Sequence, residues 1–564
     1  GSASLDANTT GGSNTGVGYG ALSANTTASN NTAVGRAALT ANTTGTQNVA
    51  VGSLALQTNT TSSSNSALGY SALKLNTGAQ NSAFGASALT ANTSGAQNTG
   101  IGFQAARQST TANNITAVGW RTLDANTTGS DNTAIGKSAL FANTTGAGNV
   151  AVGANALDAA TTANNNTAVG LEAGTALTTG DNTVAIGRFA ARASTTGSGN
   201  VAVGLNSLQT NTTGSNNVAV GTQALDSNST AGNNTAVGTD ALKENTTGGY
   251  NTAVGYEALQ NNVSGTQNTA VGGFALEDNT AGDNVAVGYV TLANNTTGPS
   301  NTALGHQSMY VNTTGGYNTA VGRASLDANS SGGSNVAVGF EALTTNTTAS
   351  NNTAIGRAAL LANTTGALNT AVGYYALDSN TTGQHNTAIG SDALGSCTIG
   401  EKNVAIGRLA MGQGGTDPDR CVAVGAYTLE NNAADSNTAV GADALNDNTT
   451  GEGNVAVGTY ALDANTTASN ENTAVGYHSL SANTTGAANT AVGHNSLDAN
   501  TTGSSNVAMG PQSLSGNTTA DSNTGVGAFS LRDNTTGNNN SALGRGALIH
   551  NTTASKNVAV GYQA

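Results

Sequence analysis

One short segment recurs along the whole chain and constrains its fold more than any other feature. Counting from the asparagine of the segment NTAVG as position 0, the chain contains 33 copies, the first at Asn14 and the last at Asn557. Of the 32 spacings between successive copies, 27 are 17 residues, and the others are 16 or 18. Helical repeats need about 33 residues or more, so this period leaves no room for a pair of packed helices. The period therefore indicates one coil of a stacked β-structure per copy.

The columns of the repeat show what each coil requires. The consensus is N-[T/V]-A-V-G-x-x-[A/S]-L-x-x-N-T-T-G-x-x. Position +4 is Gly in all 33 copies, position +3 is always apolar, and position +2 is always Ala or Gly. Position +8 is Leu in 27 of the 32 complete copies. The β-branched segments NTAVG and NVAVG predict a strand, and the cluster NTTG predicts a turn.

These patterns predict an all-β fold: a repetitive β-solenoid or β-roll of 33 coils of about 17 residues, with residues 1–564 forming a single continuous repeat array. Coils stacked one strand spacing apart, about 4.8 Å, would make the array elongated, roughly 160 Å long. The segment around position +8 is expected to be a short strand, although a single helical turn fits it too. The coil at 397–421 lacks its NTT turn and is expected to be irregular, with a bulge at 412–420.

The alternation of side chains along a strand divides the repeat positions between inside and outside. We expect positions +1 and +3 to fill the interior together with the leucine at +8, so that equivalent residues stack into one core. The small residues at +2 and +4 would then face either the opposite wall of a thin coil or a neighbouring chain. Alternatively, Gly at +4 permits a corner with positive φ. The predicted core is represented by Val17, Leu22, Val34, Leu39, Val254 and Leu259.

Asparagine recurs in register at positions 0 and +11. Stacked asparagine side chains can hydrogen-bond along a column, and this would stabilise the corners of the coils. The asparagine at +11 also begins an N-T-T triplet, which is an N-glycosylation acceptor when it lies in an exposed turn. An internal ladder and a glycan-decorated turn are therefore two alternatives for the same residues. The candidate glycosylation sites are Asn25, Asn42, Asn126, Asn143, Asn211, Asn295, Asn346, Asn465 and Asn534.

The chain has two cysteines, Cys397 at position +11 and Cys421 at position 0, on either side of the irregular coil. Counting coils places them about one coil apart, near adjacent corners. They are a candidate disulfide, because two lone cysteines in an extracellular protein usually pair. The alternative is that both are buried free thiols that fill their columns.

Position +5 is the variable column of the repeat. It holds ten aromatic residues and seven of the 16 basic residues. Variability within a rigid repeat predicts exposure to solvent, and exposed aromatic and arginine side chains favour binding contacts. The alternative is that this column merely tolerates any side chain. The candidate display column is represented by Tyr19, Tyr70, Trp120, Tyr256, Phe340 and Tyr374.

Composition and motif content disfavour several classes of function. The formal net charge of −14 opposes binding to nucleic acid, and no apolar stretch is long enough to cross a bilayer, so we expect neither a nucleic-acid partner nor membrane insertion. The five histidines, among them His306 and His494 at position +5, show no metal-ligand spacing. No catalytic or phosphate-binding motif stands out. We therefore expect no enzymatic activity, no cofactor and no metal.

The recurring NTAVG or NVAIG strand, followed by a small residue and Leu, resembles the head repeats of trimeric autotransporter adhesins. It is also similar to the repeat arrays of bacterial and phage tail-fibre proteins. The resemblance covers essentially the whole chain, although the coil is longer here and has an additional NTTG turn. It implies a β-roll, a parallel homotrimer and a role in extracellular attachment.

The sequence thus predicts a structural extracellular fibre, stalk or adhesin at the cell surface, with a surface glycan or a host receptor as its partner. We expect self-association, either as the homotrimer that the resemblance implies or as an end-to-end filament. Neither terminal copy carries the polar cap that repeat arrays need, so the alternatives at the ends are a filament of stacked copies or a chain that continues beyond residues 1–564. The alternative is a tail fibre of a phage or injection particle, which would be a virion appendage. An ice-binding protein is less favoured, because the threonines of NTT are adjacent in a turn rather than spaced T-x-T on a face.

Overall fold

The computed structural model describes residues 1–415, 417–467 and 469–564 of the chain. The predicted bulge at 412–420 includes Thr416, which lies outside the described residues. Contacts between residues divide the chain into two compact units, Gly1–Asp283 and Asn284–Ala564. The described residues contain no helix, and each strand covers positions +1 to +3 of one copy of the repeat.

Sixteen three-residue strands form the first unit, in which every residue is described. They are β1 Thr15–Val17, β2 Thr32–Val34, β3 Val49–Val51, β4 Ser66–Leu68, β5 Ser82–Phe84, β6 Thr99–Ile101, β7 Thr116–Val118, β8 Thr133–Ile135, β9 Val150–Val152, β10 Thr167–Val169, β11 Val184–Ile186, β12 Val201–Val203, β13 Val218–Val220, β14 Thr235–Val237, β15 Thr252–Val254 and β16 Thr269–Val271.

The described part of the second unit contains seventeen strands of the same length. They are β17 Val285–Val287, β18 Thr302–Leu304, β19 Thr319–Val321, β20 Val336–Val338, β21 Thr353–Ile355, β22 Thr370–Val372, β23 Thr387–Ile389, β24 Val404–Ile406, β25 Val422–Val424, β26 Thr438–Val440, β27 Val455–Val457, β28 Thr473–Val475, β29 Thr490–Val492, β30 Val507–Met509, β31 Thr524–Val526, β32 Ser541–Leu543 and β33 Val558–Val560.

Within each unit, every strand pairs in parallel with the strand of the next copy, and equivalent positions lie opposite each other. In the first unit Val17 is paired with Val34, and Val34 with Val51. In the second unit the pairing survives the 18-residue spacing, because Val404 still lies opposite Val422. The fold is therefore a parallel β-solenoid with coils of about 17 residues, as the period predicts.

The predicted inside and outside of the strand are reversed. The alanines at +2 are the buried residues, whereas Val17 and Val254 at +3 are 54% and 37% exposed and Val34 is only partly covered. The leucines Leu22, Leu39 and Leu259 do lie in the core, fully buried. The prediction of the core is therefore right for the leucines at +8 and wrong for the valines at +3.

A thin coil explains why alanine points inward. The leucine at +8 of one coil reaches across the interior to the +2 position of the next coil. A Cβ atom built on Gly100, at +2, would lie only 3.0 Å from Cγ of Leu89. A methyl group at +2 thus fills the remaining space, and a valine side chain would overpack it. The small residues at +2 face the opposite wall of their own solenoid, which was one of the two expected surfaces.

The segment that carries the leucine is neither a strand nor a helical turn. Positions +6 and +8 have left-handed backbone angles, with φ of 56° at Ala37, 51° at Leu39 and 52° at Leu259. Its amides nevertheless continue the stacking, since the N–H of Leu39 donates to the carbonyl of Ala55 in the next coil at 3.0 Å. The favoured prediction of a short strand here is wrong. Left-handed leucine is unfavourable for an isolated residue, so the stacked coils must impose it.

The glycine at +4 makes the corner between the strand and this segment. Its φ is positive in every coil, for example 129° at Gly18 and 144° at Gly255, a region that side chains other than glycine's rarely enter. Within each unit, all of these glycines except the last lie directly against their counterparts in the next coil. A Cβ on Gly35 would lie 2.5 Å from the carbonyl oxygen of Gly52. The expectation of a corner with positive φ is confirmed.

The irregular coil keeps its neighbours in register by substituting other acceptors for the missing turn. The backbone N–H groups of Thr398 and Ile399 donate to the Asp417 carboxylate at 2.5 and 2.7 Å. Nδ2 of Asn403 donates to the carbonyl of Pro418 at 2.6 Å. In regular coils, turn carbonyls accept the equivalent bonds. Asp417 and Pro418 therefore replace the acceptors that an NTT turn would supply.

Candidate functional site

The two asparagine columns run side by side through the interior. In the coil that begins at Asn31, the Nδ2 groups of Asn31 and Asn42 both donate to the carbonyl oxygen of Gly45, at 2.9 and 3.0 Å. Nδ2 of Asn42 also donates to Oδ1 of Asn25 in the preceding coil at 2.9 Å. Oδ1 of Asn31 accepts the backbone N–H of Asn48 in the next coil at 2.9 Å. Each asparagine thus closes its own coil and links it to a neighbour, which confirms the ladder alternative.

The same geometry corrects the prediction of exposed glycan acceptors. All nine candidate asparagines have side chains with no solvent exposure. The atom that would carry a sugar is Nδ2, and in Asn42 both of its hydrogens are used, toward Asn25 and Gly45. A sugar on Nδ2 would remove one donor and would have to lie inside the coil. Glycosylation stays a prediction for these nine residues, whose side chains are buried in the folded chain: Asn25, Asn42, Asn126, Asn143, Asn211, Asn295, Asn346, Asn465 and Asn534.

The structure shows no disulfide between Cys397 and Cys421, which are both buried free thiols. Each sulfur fills the place of an asparagine in its own column. Sγ of Cys421 contacts the carbonyl oxygen of Ala434 at 3.2 Å and accepts from Nδ2 of Asn432 at 3.6 Å. Burial raises the pKa of Cys397 to about 12 and that of Cys421 to about 11. The second alternative, two thiols that fill columns, is the one observed.

The outer face of the strands carries a continuous row of apolar side chains in each unit. Position +3 presents an apolar side chain in every coil, mostly Val, Ile or Leu. Val169 and Ile186, for example, are paired in register and are 37% and 40% exposed. Position +1 adds Thr, Val or Ser on the same face. We call positions +1 and +3 together the outer sheet face. Other exposed members are Leu68, Phe84, Ile101, Ile135, Val237, Val254, Val271, Leu304, Ile355, Ile389, Ile406, Val440, Val457, Met509 and Leu543.

The predicted display column at +5 lies on the surface, just beyond the glycine corner. The six residues that represent it are between 36% and 65% exposed: Tyr19, Tyr70, Trp120, Tyr256, Phe340 and Tyr374. Neighbouring members of the column contact each other along the stack. The rings of Tyr289 and His306 are stacked with centroids 5.7 Å apart, and the Arg323 guanidinium lies 5.5 Å from the centre of Phe340. Exposure is thus established for this column, and no partner follows from exposure alone.

Sequence reasoning missed one buried charge cluster in the first unit. Asp124 is only 1% exposed and binds two arginines from two successive coils. Nε of Arg107 donates to Oδ1 of Asp124 at 2.9 Å, and Nη2 of Arg121 donates to Oδ2 at 2.9 Å. In the sequence, the signal was an arginine at +9 one coil before the aspartate at +9, together with a second arginine at +6 of the aspartate's own coil. The carboxylate therefore fixes two guanidinium groups side by side at the surface.

Among the described residues, the other aspartates at position +9 form no ion pair like that of Asp124, although the positive charge of Lys243 acts against the effect of burial at Asp226. Burial raises the pKa of Asp378 and Asp463 to about 6, and it raises the pKa of Asp158, Asp226, Asp327 and Asp498 above the ordinary value as well. These carboxyl groups are scattered along the stack rather than gathered. Among the described residues, no group of three or more His, Cys, Asp or Glu is placed to hold a metal ion.

In the part of the chain that the structure describes, no helix has the length and apolar character needed to cross a bilayer. No family model matches the chain, and no curated protein matches it.

Proposed function

We propose that this chain is a structural component of an extracellular fibre or stalk at the cell surface, in which copies of the chain pack side by side through the outer sheet face. The observation that carries the proposal is the exposure of that face. Parallel sheets occur almost always with both faces covered. Here the solenoid's own leucine wall covers one face, and the other presents valine and isoleucine to solvent, as at Val254 and Ile186.

The size and continuity of the outer sheet face favour a permanent partner. Monomeric proteins rarely expose a contiguous apolar patch of more than a few hundred Å². The face extends over sixteen coils in the first unit alone, all of them described, with side chains of successive coils in register. A surface of this kind is typical of an interface that is formed once and kept.

A second copy of the chain fits this surface better than an unrelated protein. Two parallel copies have the same axial repeat, about one strand spacing or 4.8 Å, so each contact recurs at every coil. Rotational symmetry about an axis along the stack would then close the assembly. Three copies is the number that the resemblance to trimeric autotransporter adhesins implies. A tail fibre of a phage or injection particle would use the same interface, and it remains the second proposal for the setting.

The ice-binding alternative gains little from the outer sheet face. Threonine at +1 does lie on it, as at Thr116 and Thr133, but valine replaces it in Val150 and Val184. Position +3 varies in size, with Phe84 paired between Leu68 and Ile101. A regular lattice of hydroxyl groups is therefore not presented. Thermal hysteresis of the purified protein at the freezing point tests this alternative.

Sedimentation velocity of the full chain tests the proposed assembly. The wild-type chain should sediment as a multiple of its 54.8 kDa mass. The double variant Val237→Lys/Val254→Lys places two charges on the outer sheet face and should shift the protein toward a single copy. The matched control, Thr239→Lys/Tyr256→Lys, places the same charges in the +5 column of the same two coils and should leave the assembly intact. A wild-type chain that stays monomeric at every concentration, or a control that dissociates equally, contradicts the proposal.

A further inference from the structure

Two successive coils of the first unit depart from the consensus together. Ala106 replaces the leucine at +8, Ser109 replaces the asparagine at +11, and Ile115 replaces the asparagine at position 0. The same coils carry Trp120, the one tryptophan of the chain. Departures from an otherwise strict pattern are expected where a protein does something other than maintain its fold.

The surface of these coils combines aromatic and cationic side chains. Trp120 and Phe103 occupy successive +5 positions and are 46% and 47% exposed. The Arg121 guanidinium lies 5.4 Å from the centre of the Trp120 ring and 4.6 Å from that of Phe141. Lys137 belongs to the following coil, and its Nζ lies 5.7 Å from the centre of the Trp120 ring. We call the surface formed by the following residues the Trp120 patch: Phe103, Arg107, Trp120, Arg121, Lys137 and Phe141.

The patch has more positive charge than its own acid can balance. Asp124 binds both Arg107 and Arg121, so one carboxylate serves two guanidinium groups. Lys137 has no acidic partner among the described residues. The other acid of these coils, Asp131, accepts a hydrogen bond from Asn114 at position +16, a different column. The patch is therefore a local cationic surface on a chain whose formal net charge is −14.

The arginines are held so that each still presents donors outward. Arg107 and Arg121 both use Nε and Nη2 to bind Asp124. Among the described residues, Nη1 of neither arginine has a partner. A guanidinium has five N–H donors in a planar fork, so the edge that includes Nη1 remains suited to bidentate binding of a carboxylate. Because Asp124 already fixes the orientation, little side-chain entropy is lost when an anion binds.

We propose that the Trp120 patch binds an acidic polysaccharide, with carboxylate groups of the sugar on Arg107, Arg121 and Lys137 and the apolar face of a sugar ring against Trp120 and Phe103. Sites of this kind combine aromatic surface with a few fixed polar groups that set orientation. A pyranose ring in an extended chain is close in length to one strand spacing, about 4.8 Å, so successive sugars meet successive coils. The inference extends the proposed function, because it names a partner for a surface that the fibre would repeat in every copy.

Nucleic acid is the competing polyanion, and the patch fits it less well. Proteins that bind single strands provide successive aromatic rings on which bases stack. In the +5 column here, Phe103 and Trp120 lie between Ala86 and Lys137, so only two successive rings are offered for stacking. The acidic remainder of the chain would also repel a dense row of phosphates. A sugar acid has sparser charge and binds through hydrogen bonds at its edges.

Binding of oligogalacturonate to the full wild-type chain tests the inference, measured by isothermal titration calorimetry at low salt. Neutral maltooligosaccharide of the same length should not bind. Lys137→Gln and Trp120→Ala should each weaken binding by about tenfold or more. Lys137 makes no ion pair among the described residues, so Lys137→Gln is expected to fold normally, and circular dichroism checks this. Arg36→Gln is the matched control: it removes one charge from an exposed +5 position whose guanidinium lies over no aromatic ring among the described residues, and it should bind like wild type.

Each contrary outcome overturns the inference. One such outcome is undetectable binding of oligogalacturonate by the wild-type chain. Another is that Arg36→Gln and Lys137→Gln weaken the binding of oligogalacturonate equally. Tighter binding of oligothymidylate than of oligogalacturonate would assign the patch to nucleic acid instead. These results leave the proposed assembly untouched, because sedimentation velocity measures that separately.

Discussion

Nδ2 of Asn329 donates a hydrogen bond to Oδ1 of Asn312, one coil earlier in the stack, at 2.8 Å. The next coil repeats the contact, with Nδ2 of Asn346 donating to Oδ1 of Asn329 at 2.9 Å. All three asparagines are fully buried. An amide that accepts from one neighbour and donates to the other can extend such a column indefinitely. This relationship makes asparagine at +11 a structural residue of the solenoid.

Removal of one amide from this column should destabilise the second unit locally. Asn329→Ala leaves Oδ1 of Asn312 and one N–H of Asn346 buried without partners, at about 1–3 kcal/mol each. We expect a loss of about 2–4 kcal/mol in the free energy of unfolding, measured by denaturant titration and by hydrogen exchange of the neighbouring coils. Ser331→Ala, at the exposed +13 position of the same turn, should change stability by less than about 0.5 kcal/mol. Equal effects of the two substitutions would show that the ladder contributes nothing.

The glycine corner should tolerate no side chain. A Cβ on Gly305 would lie 2.5 Å from the carbonyl oxygen of Gly322, and the φ of Gly305 is 133°. Gly305→Ala is therefore expected to lower stability by about 3 kcal/mol or more, since strain and a backbone clash add. Gly12→Ala is the control, because a Cβ there would meet no atom within 4 Å. Thermal unfolding of both variants should show a large shift for the first and almost none for the second.

The buried carboxyl groups at +9 predict how stability depends on pH. Burial raises the pKa of Asp378 and Asp463 to about 6, so the folded chain holds these protons to higher pH than the unfolded chain does. Stability contributed by these groups is therefore present at low pH and is lost as pH rises from about 4 to about 6. The double variant Asp378→Asn/Asp463→Asn cannot ionise at these two positions, so it should keep the stability that the wild-type chain loses over this pH range. The expected difference is on the order of 1 kcal/mol per site after solvent screening.

Asp533 provides a contrast for the same experiment. A hydrogen bond from Arg532 holds the pKa of Asp533 below the ordinary value of a carboxyl group. The ionised carboxylate therefore contributes to the stability of the folded chain at neutral pH, and this contribution is lost in acid. Asp533→Asn should therefore lower stability at neutral pH, whereas the double variant should raise it. Denaturant midpoints between pH 4 and pH 8 decide the matter, and a double variant with the wild-type pH profile would contradict the assignment.

The two thiols should be unreactive until the chain unfolds. With the pKa of Cys397 near 12 and that of Cys421 near 11, neither forms an appreciable thiolate at pH 8, and both are buried. Iodoacetamide should modify neither residue in the folded protein and both after denaturation without reductant, as measured by mass spectrometry. Rapid modification of the native chain, or recovery of a Cys397–Cys421 disulfide, would contradict the structure.

The period of the sequence predicted the stacked strands, because a recurring β-branched segment has few other ways to bury its neighbours. It did not predict which face of the strand is inside. A three-residue strand offers one small residue, as at Ala253, between two larger ones, Thr252 and Val254, and burying the larger pair is the ordinary expectation. The choice is made by the leucine of the preceding coil, Leu242, which already fills the interior from the opposite wall.

The leucine segment and the asparagine triplets were harder still to predict from sequence. No local propensity predicts a left-handed leucine such as Leu39, with φ of 51°, because hydrogen bonds between coils impose it. The N-T-T triplet is typical of exposed turns, yet Asn42 lies inside, since a narrow coil needs an internal donor for the Gly45 carbonyl. The Arg107–Asp124–Arg121 cluster depends on stacking of equivalent positions and becomes visible only once the coils are in register.

The most direct test of the account is chemical cross-linking at the outer sheet face. If copies pack in parallel around a common axis, equivalent residues lie at the same height, so Val254→Cys should form a disulfide-linked pair of chains on mild oxidation. Thr239→Cys, which is exposed at +5, should remain uncross-linked, and the buried Cys397 and Cys421 should not interfere. Cross-linked chains from Val254→Cys alone are the predicted result. No cross-link from Val254→Cys at any concentration, or equal yields from both variants, would contradict an assembly built on this face.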